Sequence, residues 1–164
     1  FAIGDCQIAA EPVPHDAREP VQFCLEAGDC KLGILTDLGC ITPHVVQAFS
    51  DCDALVLEFN HDPAMLAEGP YPHSVKTRVG GAFGHLTNQQ ARQFLDHADT
   101  DKLKILFVAH ISQQNNAPEL ADAALEGWPG LSSCAVIHAT QESGFDWHTL
   151  DGLDQTPEIR AGLG

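Results

Sequence analysis

The run Ala54-Leu55-Val56-Leu57-Glu58-Phe59, followed at once by Asn60-His61-Asp62, decides how this chain is read. It is short and nearly all apolar, as expected of a β-strand covered on both faces, and such strands belong to parallel sheets. Its polar residues come where the strand should end. The same arrangement recurs: Ile34-Leu35-Thr36 runs into Asp37, Phe107-Val108-Ala109 runs into His110, and Pro12-Val13-Pro14 precedes His15-Asp16. If these strands share a sheet, their C-terminal ends gather groups able to bind a metal or move a proton along one edge, a common place for an active site in α/β folds.

Outward from these strands, residues 1–3 and 6–10 flank Gly4-Asp5 as a hairpin, and residues 21–26 alternate with period two before Gly28-Asp29 turns the chain into residues 31–36. The pattern then changes. Thr42-Pro43 is an N-cap followed by proline at the first helical position, opening a helix through Phe49. Thr87 with Gln90 three residues later makes a capping box for a helix over 89–97. Residues 105–109 are a buried strand, 116–125 a helix and 134–139 a last strand. Hairpins first and strand–helix alternation later predict a layered α/β fold.

The 164 residues predict one domain over 1–164, long enough to bury a core. No apolar run approaches the roughly 20 residues of a membrane span, so no membrane partner is expected. The formal charge of −15 disfavours a protein that coats nucleic acid without specificity, since such binding neutralises phosphates with Lys and Arg. An enzyme whose substrate phosphates meet metal ions and a few placed cations stays compatible with that charge. No Cys-x-x-Cys pair occurs, and Cys24 and Cys134 sit in apolar runs, which predicts reduced cysteines and a cytoplasmic protein. The chain opens on Phe1 and its single methionine is Met65, so it reads as a processed product or part of a longer polypeptide.

Taken singly, these residues have plainer readings. A histidine after a strand is commonly a hydrogen-bonded structural residue, and Asp37 before Leu38-Gly39 is also how a turn begins. His85 fits the approach to a helix. Glu58 at a buried strand end is costly unless paired. His44, His73, His97, His138 and His148 are read as surface or packing residues. Histidine and carboxylate together suit zinc or manganese.

Five stretches in order sharpen the reading: Val13-Pro14-His15-Asp16-Ala17, Thr36-Asp37-Leu38-Gly39, Leu57-Glu58-Phe59-Asn60-His61-Asp62, Gly84-His85-Leu86-Thr87-Asn88 and Ala109-His110-Ile111-Ser112. Together they resemble the second half of a metallo-β-lactamase-fold hydrolase, in the YycJ/WalJ-type branch of DNA exonucleases. The resemblance implies part of a four-layer αββα sandwich, here its C-terminal portion, binding two divalent ions, Zn or Mn. His15 would ligate the first ion, Asp37 both, and His110 the second. Glu58 and His85 would pass a proton to the leaving oxygen, making Asp37, Glu58 and His85 the catalytic set. Asn60, His61, Lys76, Arg78, Ser112 and Asn115 would face the substrate, a nucleic acid, DNA more than RNA. The reaction implied is phosphodiester hydrolysis by metal-activated hydroxide. A homo-oligomer is compatible with this reading.

One departure stands out. The family's His-x-His-x-Asp-His motif, which serves both metals, does not occur in this sequence, and it would lie ahead of everything seen here. Truncation explains that more simply than degeneration, and the segment alone is expected to be inactive with weak metal occupancy. Two alternatives stay open: a small ester, thioester or lactam hydrolase of the same fold, and a metal-free binding module.

Overall fold

The computed structural model describes residues 1–142 and 144–150, so the end of the expected 1–164 unit lies outside the described residues. A seven-stranded sheet runs in chain order: β1 (Ala2–Ile3), β2 (Cys6–Pro12), β3 (Val21–Ala27), β4 (Cys30–Leu35), β5 (Ala54–Glu58), β6 (Ile105–Ala109) and β7 (Ala135–His138). The first four strands pair antiparallel, as the hairpin signals predict, and β4 to β7 pair parallel. Parallel pairing needs crossovers, which the helices supply.

Register then places the chemistry. Leu35 pairs with Leu57, and Glu58 pairs with Ala109. Asp37, Glu58 and His110 therefore leave three neighbouring strands at the same edge, as the strand-end pattern anticipates.

Alternation along the parallel strands separates two faces. Leu35, Leu55, Leu57, Leu106 and Val108 enter the main core. There they meet Val45 and Phe49 of α1 (Pro43–Phe49), Phe94 and Leu95 of α4 (Asn88–His97), and Leu125 of α5 (Pro118–Leu125). On the other face Ala54, Ile105 and Phe107 form a smaller cluster with Leu32, Val56 and Ile137, and Phe145 stacks on Phe107 with centroids 4.1 Å apart. The described residues thus supply one sheet and one helical layer of the expected sandwich.

Caps act where the sequence places them. Thr42 accepts a hydrogen bond from the Val45 amide, and Thr87 with Gln90 closes a complete capping box. Two short helices were not anticipated: α2 (Pro63–Glu68) and α3 (His73–Val79). Asp62 caps α2 by accepting from the Ala64 and Met65 amides, the same cap-then-proline signal as Thr42-Pro43. Helix α5 starts at Pro118, two residues later than expected. Asn116 spends its side chain instead on Asn88, the Phe59 carbonyl and the Ala117 amide.

All six cysteines are free. Burial pushes the Cys24 thiol up to about 11 and those of Cys52 and Cys134 to about 12, which keeps them as neutral packing groups.

The loop after β4 is pressed against the loop ahead of α4. A side chain at Gly39 would meet the Gly84 nitrogen at 2.4 Å and the Ala82 carbonyl carbon at 2.5 Å. Backbone cannot yield there, so Gly39→Ala should destabilise the fold by about 1–3 kcal/mol in urea titrations. A change below a few tenths would contradict this packing.

Candidate metal centre

Glu58 closes β5 and is wholly buried. Its two oxygens accept everything the surroundings donate. Oε1 takes the Leu86 amide at 2.7 Å, and Oε2 takes the Asp37 amide at 2.9 Å, Nδ1 of His85 at 3.0 Å and Nδ1 of His110 at 2.5 Å. Burial alone would raise its pKa. The hydrogen bonds from His110 and His85 outweigh burial and hold the carboxyl down at about 2. In return Glu58 raises the pKa of His110 against the opposing effect of burial.

These bonds set ring orientation. An ionised carboxylate only accepts, so His110 donates from Nδ1 and presents Nε2 to the site. His15, in the loop between β2 and β3, does likewise by donating Nδ1 to the Gly84 carbonyl at 2.9 Å. Both Nε2 atoms face the same oxygen: Asp37 Oδ1 lies 4.0 Å from that of His15 and 3.9 Å from that of His110. His85 stands between the two rings, with centroids 5.1 Å from His15 and 5.2 Å from His110.

The arrangement fits a divalent cation. Donors that each sit about 2 Å from one ion stand roughly 3–4 Å apart, which matches Asp37 against both imidazoles. Asp37, Glu58, His85 and His110 also offer ligand atoms within 4.8 Å of one another. Asp37 and His110 have φ of 52° and 55°, left-handed values for residues with side chains. Such strain persists where surrounding structure imposes it and clusters at functional sites.

Other expected site residues are distributed unevenly. Asn60 is buried and donates Nδ2 to the His110 carbonyl at 3.1 Å, bracing the end of β6. Ser112 donates its amide to the Asn60 carbonyl, and its hydroxyl accepts from the amide and side chain of Asn115. His61 and Asn115 are each 1% exposed, and His61 Nδ1 and Asn115 Oδ1 have no hydrogen-bond partner. Burial lowers the His61 pKa. Lys76 and Arg78 lie on α3, Lys76 on the Ala67 carbonyl and Arg78 on Asp16. The structure therefore brings His15, Asp37, Glu58, His85 and His110 together and sets Asn60, Ser112 and Asn115 behind them. Asp16, which stands beside His15 in the strand-end pattern, has no role of its own there and proves to hold Arg78.

Known proteins share this frame. Exodeoxyribonuclease YycJ of Bacillus anthracis is 36% identical over 142 residues, covering 84% of this chain and 54% of the relative. Exodeoxyribonuclease WalJ of Streptococcus pneumoniae is 30% identical over 118 residues, covering 72% and 44%. The metallo-β-lactamase fold protein YhfI of Bacillus subtilis superposes with a TM-score of 0.61 at 16% identity, over 90% of this chain and 52% of that one. This chain is similar to about half of the YycJ and WalJ proteins and has the metallo-β-lactamase fold. Zn(2+)-bound PqqB of Methylobacterium extorquens shares that fold, with a TM-score of 0.55 at 17% identity over 87% and 50% of the two chains. No family model matches the chain. It spans about half the length of the curated relatives it matches.

Two measurements check the role of Glu58. Glu58→Ala strands the Asp37 and Leu86 amides and should cost about 3 kcal/mol in chemical denaturation. The folded pKa of about 2 lies below the ordinary 4.5, so the stabilisation is complete above pH 4.5 and disappears as pH falls through about 2. Stability measured from pH 7 to 2 should show this acid loss in the wild type and not in Glu58→Gln.

Proposed function

We propose that this chain is one portion of a metal-dependent hydrolase that cleaves phosphodiesters at nucleic-acid ends, DNA in preference to RNA. The observation that carries the reading is convergence. Residues 15, 37 and 110, far apart in sequence, aim two imidazole nitrogens and a carboxylate at one point, beside a histidine held by a buried glutamate. The names of the YycJ and WalJ relatives support DNA as substrate.

In this reading His15 would hold one ion, His110 the other, and Asp37 would serve both, with zinc or manganese suiting the mixed nitrogen and oxygen donors. When bound, the ions supply Lewis-acid polarisation, an acidified water and neutralisation of phosphate charge. His85 then stands where it can deliver a proton to the departing oxygen. Glu58 has no access to substrate and acts through His85, fixing its ring by the bond at Nδ1. It positions His110 in the same way, as carboxylates commonly do for ligand histidines. Lys76 and Arg78 take substrate phosphate from α3. Asn60, Ser112 and Asn115 shape the floor, and buried His61 packs beside them.

His15, Asp37 and His110 supply too few donors to replace the hydration shells of two ions, so this chain alone binds metal weakly and turns over little. The six free thiols suit a cytoplasmic setting. Among the described residues no helix is long and apolar enough to cross a membrane.

The test joins this chain to the portion of a YycJ relative that it does not match, and assays DNA and RNA ends with Mn²⁺ or Zn²⁺. Asp37→Ala should abolish turnover. His85→Ala should lower kcat by about 100-fold or more with little change in KM. A joined protein inert on both nucleic acids, or unchanged turnover in Asp37→Ala, would overturn the reading.

A further inference from the structure

The rim of the site holds an ion pair placed for more than tethering. Arg78, in the last turn of α3, turns its guanidinium fork on Asp16: Nε meets Oδ2, and Nη2 lies 3.2 Å from Oδ1. The same Oδ1 is 3.5 Å from Nε2 of His15. One carboxylate thus lies between a cation on a peripheral helix and an imidazole of the candidate centre.

The pair is open to solvent, with the Arg78 side chain 71% exposed and that of Asp16 29%. Water and salt screen such pairs, which makes their partners exchangeable. Helix α3 buries none of its residues and has no side-chain N-cap bond. It is tied to its surroundings by this pair, by Lys76 Nζ on the Ala67 carbonyl and by the Val79 carbonyl, which accepts the His85 amide at 2.8 Å.

The fork that grips two carboxylate oxygens matches two phosphate oxygens equally well. On a chain of net charge −15, a phosphate arriving at this edge is repelled except where a cation meets it. Three other cations are engaged away from the site: Lys31 on the Ala48 and Ser50 carbonyls, Arg92 on Asp96, and Lys104 on Asp53. Arg78 stands beside the site, and Asp16 occupies it.

We propose that the Asp16–Arg78 pair is an exchangeable latch: a substrate phosphate replaces Asp16 on the Arg78 guanidinium, and the released carboxylate stays beside His15. The ligand is the terminal phosphate of a nucleic-acid strand, an identity that rests on the nuclease reading, and free phosphate shares its chemistry. Asp16 is then a built-in competitor. If it holds the fork about nine-tenths of the time, phosphate binds roughly tenfold more weakly than it would to Arg78 left free.

The chain itself, labelled with ¹⁵N, tests this by following the Arg78 Nε–H resonance while inorganic phosphate, a deoxynucleoside 5′-monophosphate or the parent nucleoside is added. Both phosphates should shift the resonance, and the nucleoside should not. Asp16→Asn should tighten phosphate binding by about tenfold. Phosphate should also shift the His15 backbone amide in the wild type; Arg78→Ala should abolish that shift, and Arg78→Lys, which keeps charge without the fork, should restore it only in part. Both positions are exposed, and a backbone spectrum superimposable on the wild type checks folding. An Arg78 resonance that phosphate leaves unmoved, or an Asp16→Asn affinity equal to or weaker than wild type, overturns the latch. Cleavage separates the two claims. Phosphate exchange with a joined protein inert on DNA sinks the nuclease reading alone, whereas cleavage with Asp16→Asn unchanged in phosphate affinity sinks the latch alone.

Discussion

Glu58 carries a charge into a place without solvent, and the four hydrogen bonds it accepts make that tolerable. Three of them converge on Oε2 and one on Oε1, so the charge is met chiefly at a single oxygen. The donors come from different parts of the chain: the amide after β4, the imidazole after β6, and the imidazole and amide leading into α4. Parting any of them from the end of β5 would leave a buried charge underpaired, which costs far more than the bond itself contributes. A single side chain therefore holds two strand ends and a loop at fixed separation, and sets the tautomer of the two imidazoles it binds.

Around that anchor, the sheet divides its labour. The antiparallel half brings the 13–20 loop and His15 to the site, while the parallel half delivers Asp37, Glu58 and His110 at one edge without any of them leaving its strand end by more than two residues. The close approach at Gly39 then binds the Asp37 loop to the loop that carries Gly84, whose carbonyl orients His15. Packing and chemistry share the same contacts here, so the geometry of the donors is inherited from the core rather than maintained by the donors themselves.

Much of this was legible in the residues. Strands 5 and 6 announce themselves by unbroken apolar runs, and their ionisable ends mark the edge where the site lies. Thr42 and Thr87 mark helix starts because capping is local chemistry. Helix α2 carries in Asp62-Pro63 the same cap-then-proline signal that marks α1, but Asp62 stands in the polar cluster ending β5. Helix α3, seven residues with no side-chain cap bond, offers neither a cap nor a periodic stretch. The start of α5 was misplaced because Asn116 is claimed by Asn88 and Phe59, which no local pattern reveals. The pairing of Glu58 with His85 was expected from resemblance; its second hold, on His110, appears only once the strands are laid side by side. Arg78 and Asp16 stand 62 positions apart, and nothing in either stretch names the other.

The left-handed backbone at Asp37 and His110 has a bearing on redesign. Among L-residues, aspartate and asparagine tolerate that conformation best, histidine less well, and branched or bulky side chains poorly. Attempts to retune which ion the pocket prefers by swapping donor types thus meet a conformational toll at residues 37 and 110. His15 is not among the positive-φ residues. If His15 holds an ion as proposed, a cysteine or carboxylate can be tried there with the main chain at rest, which makes it the natural first position for such redesign.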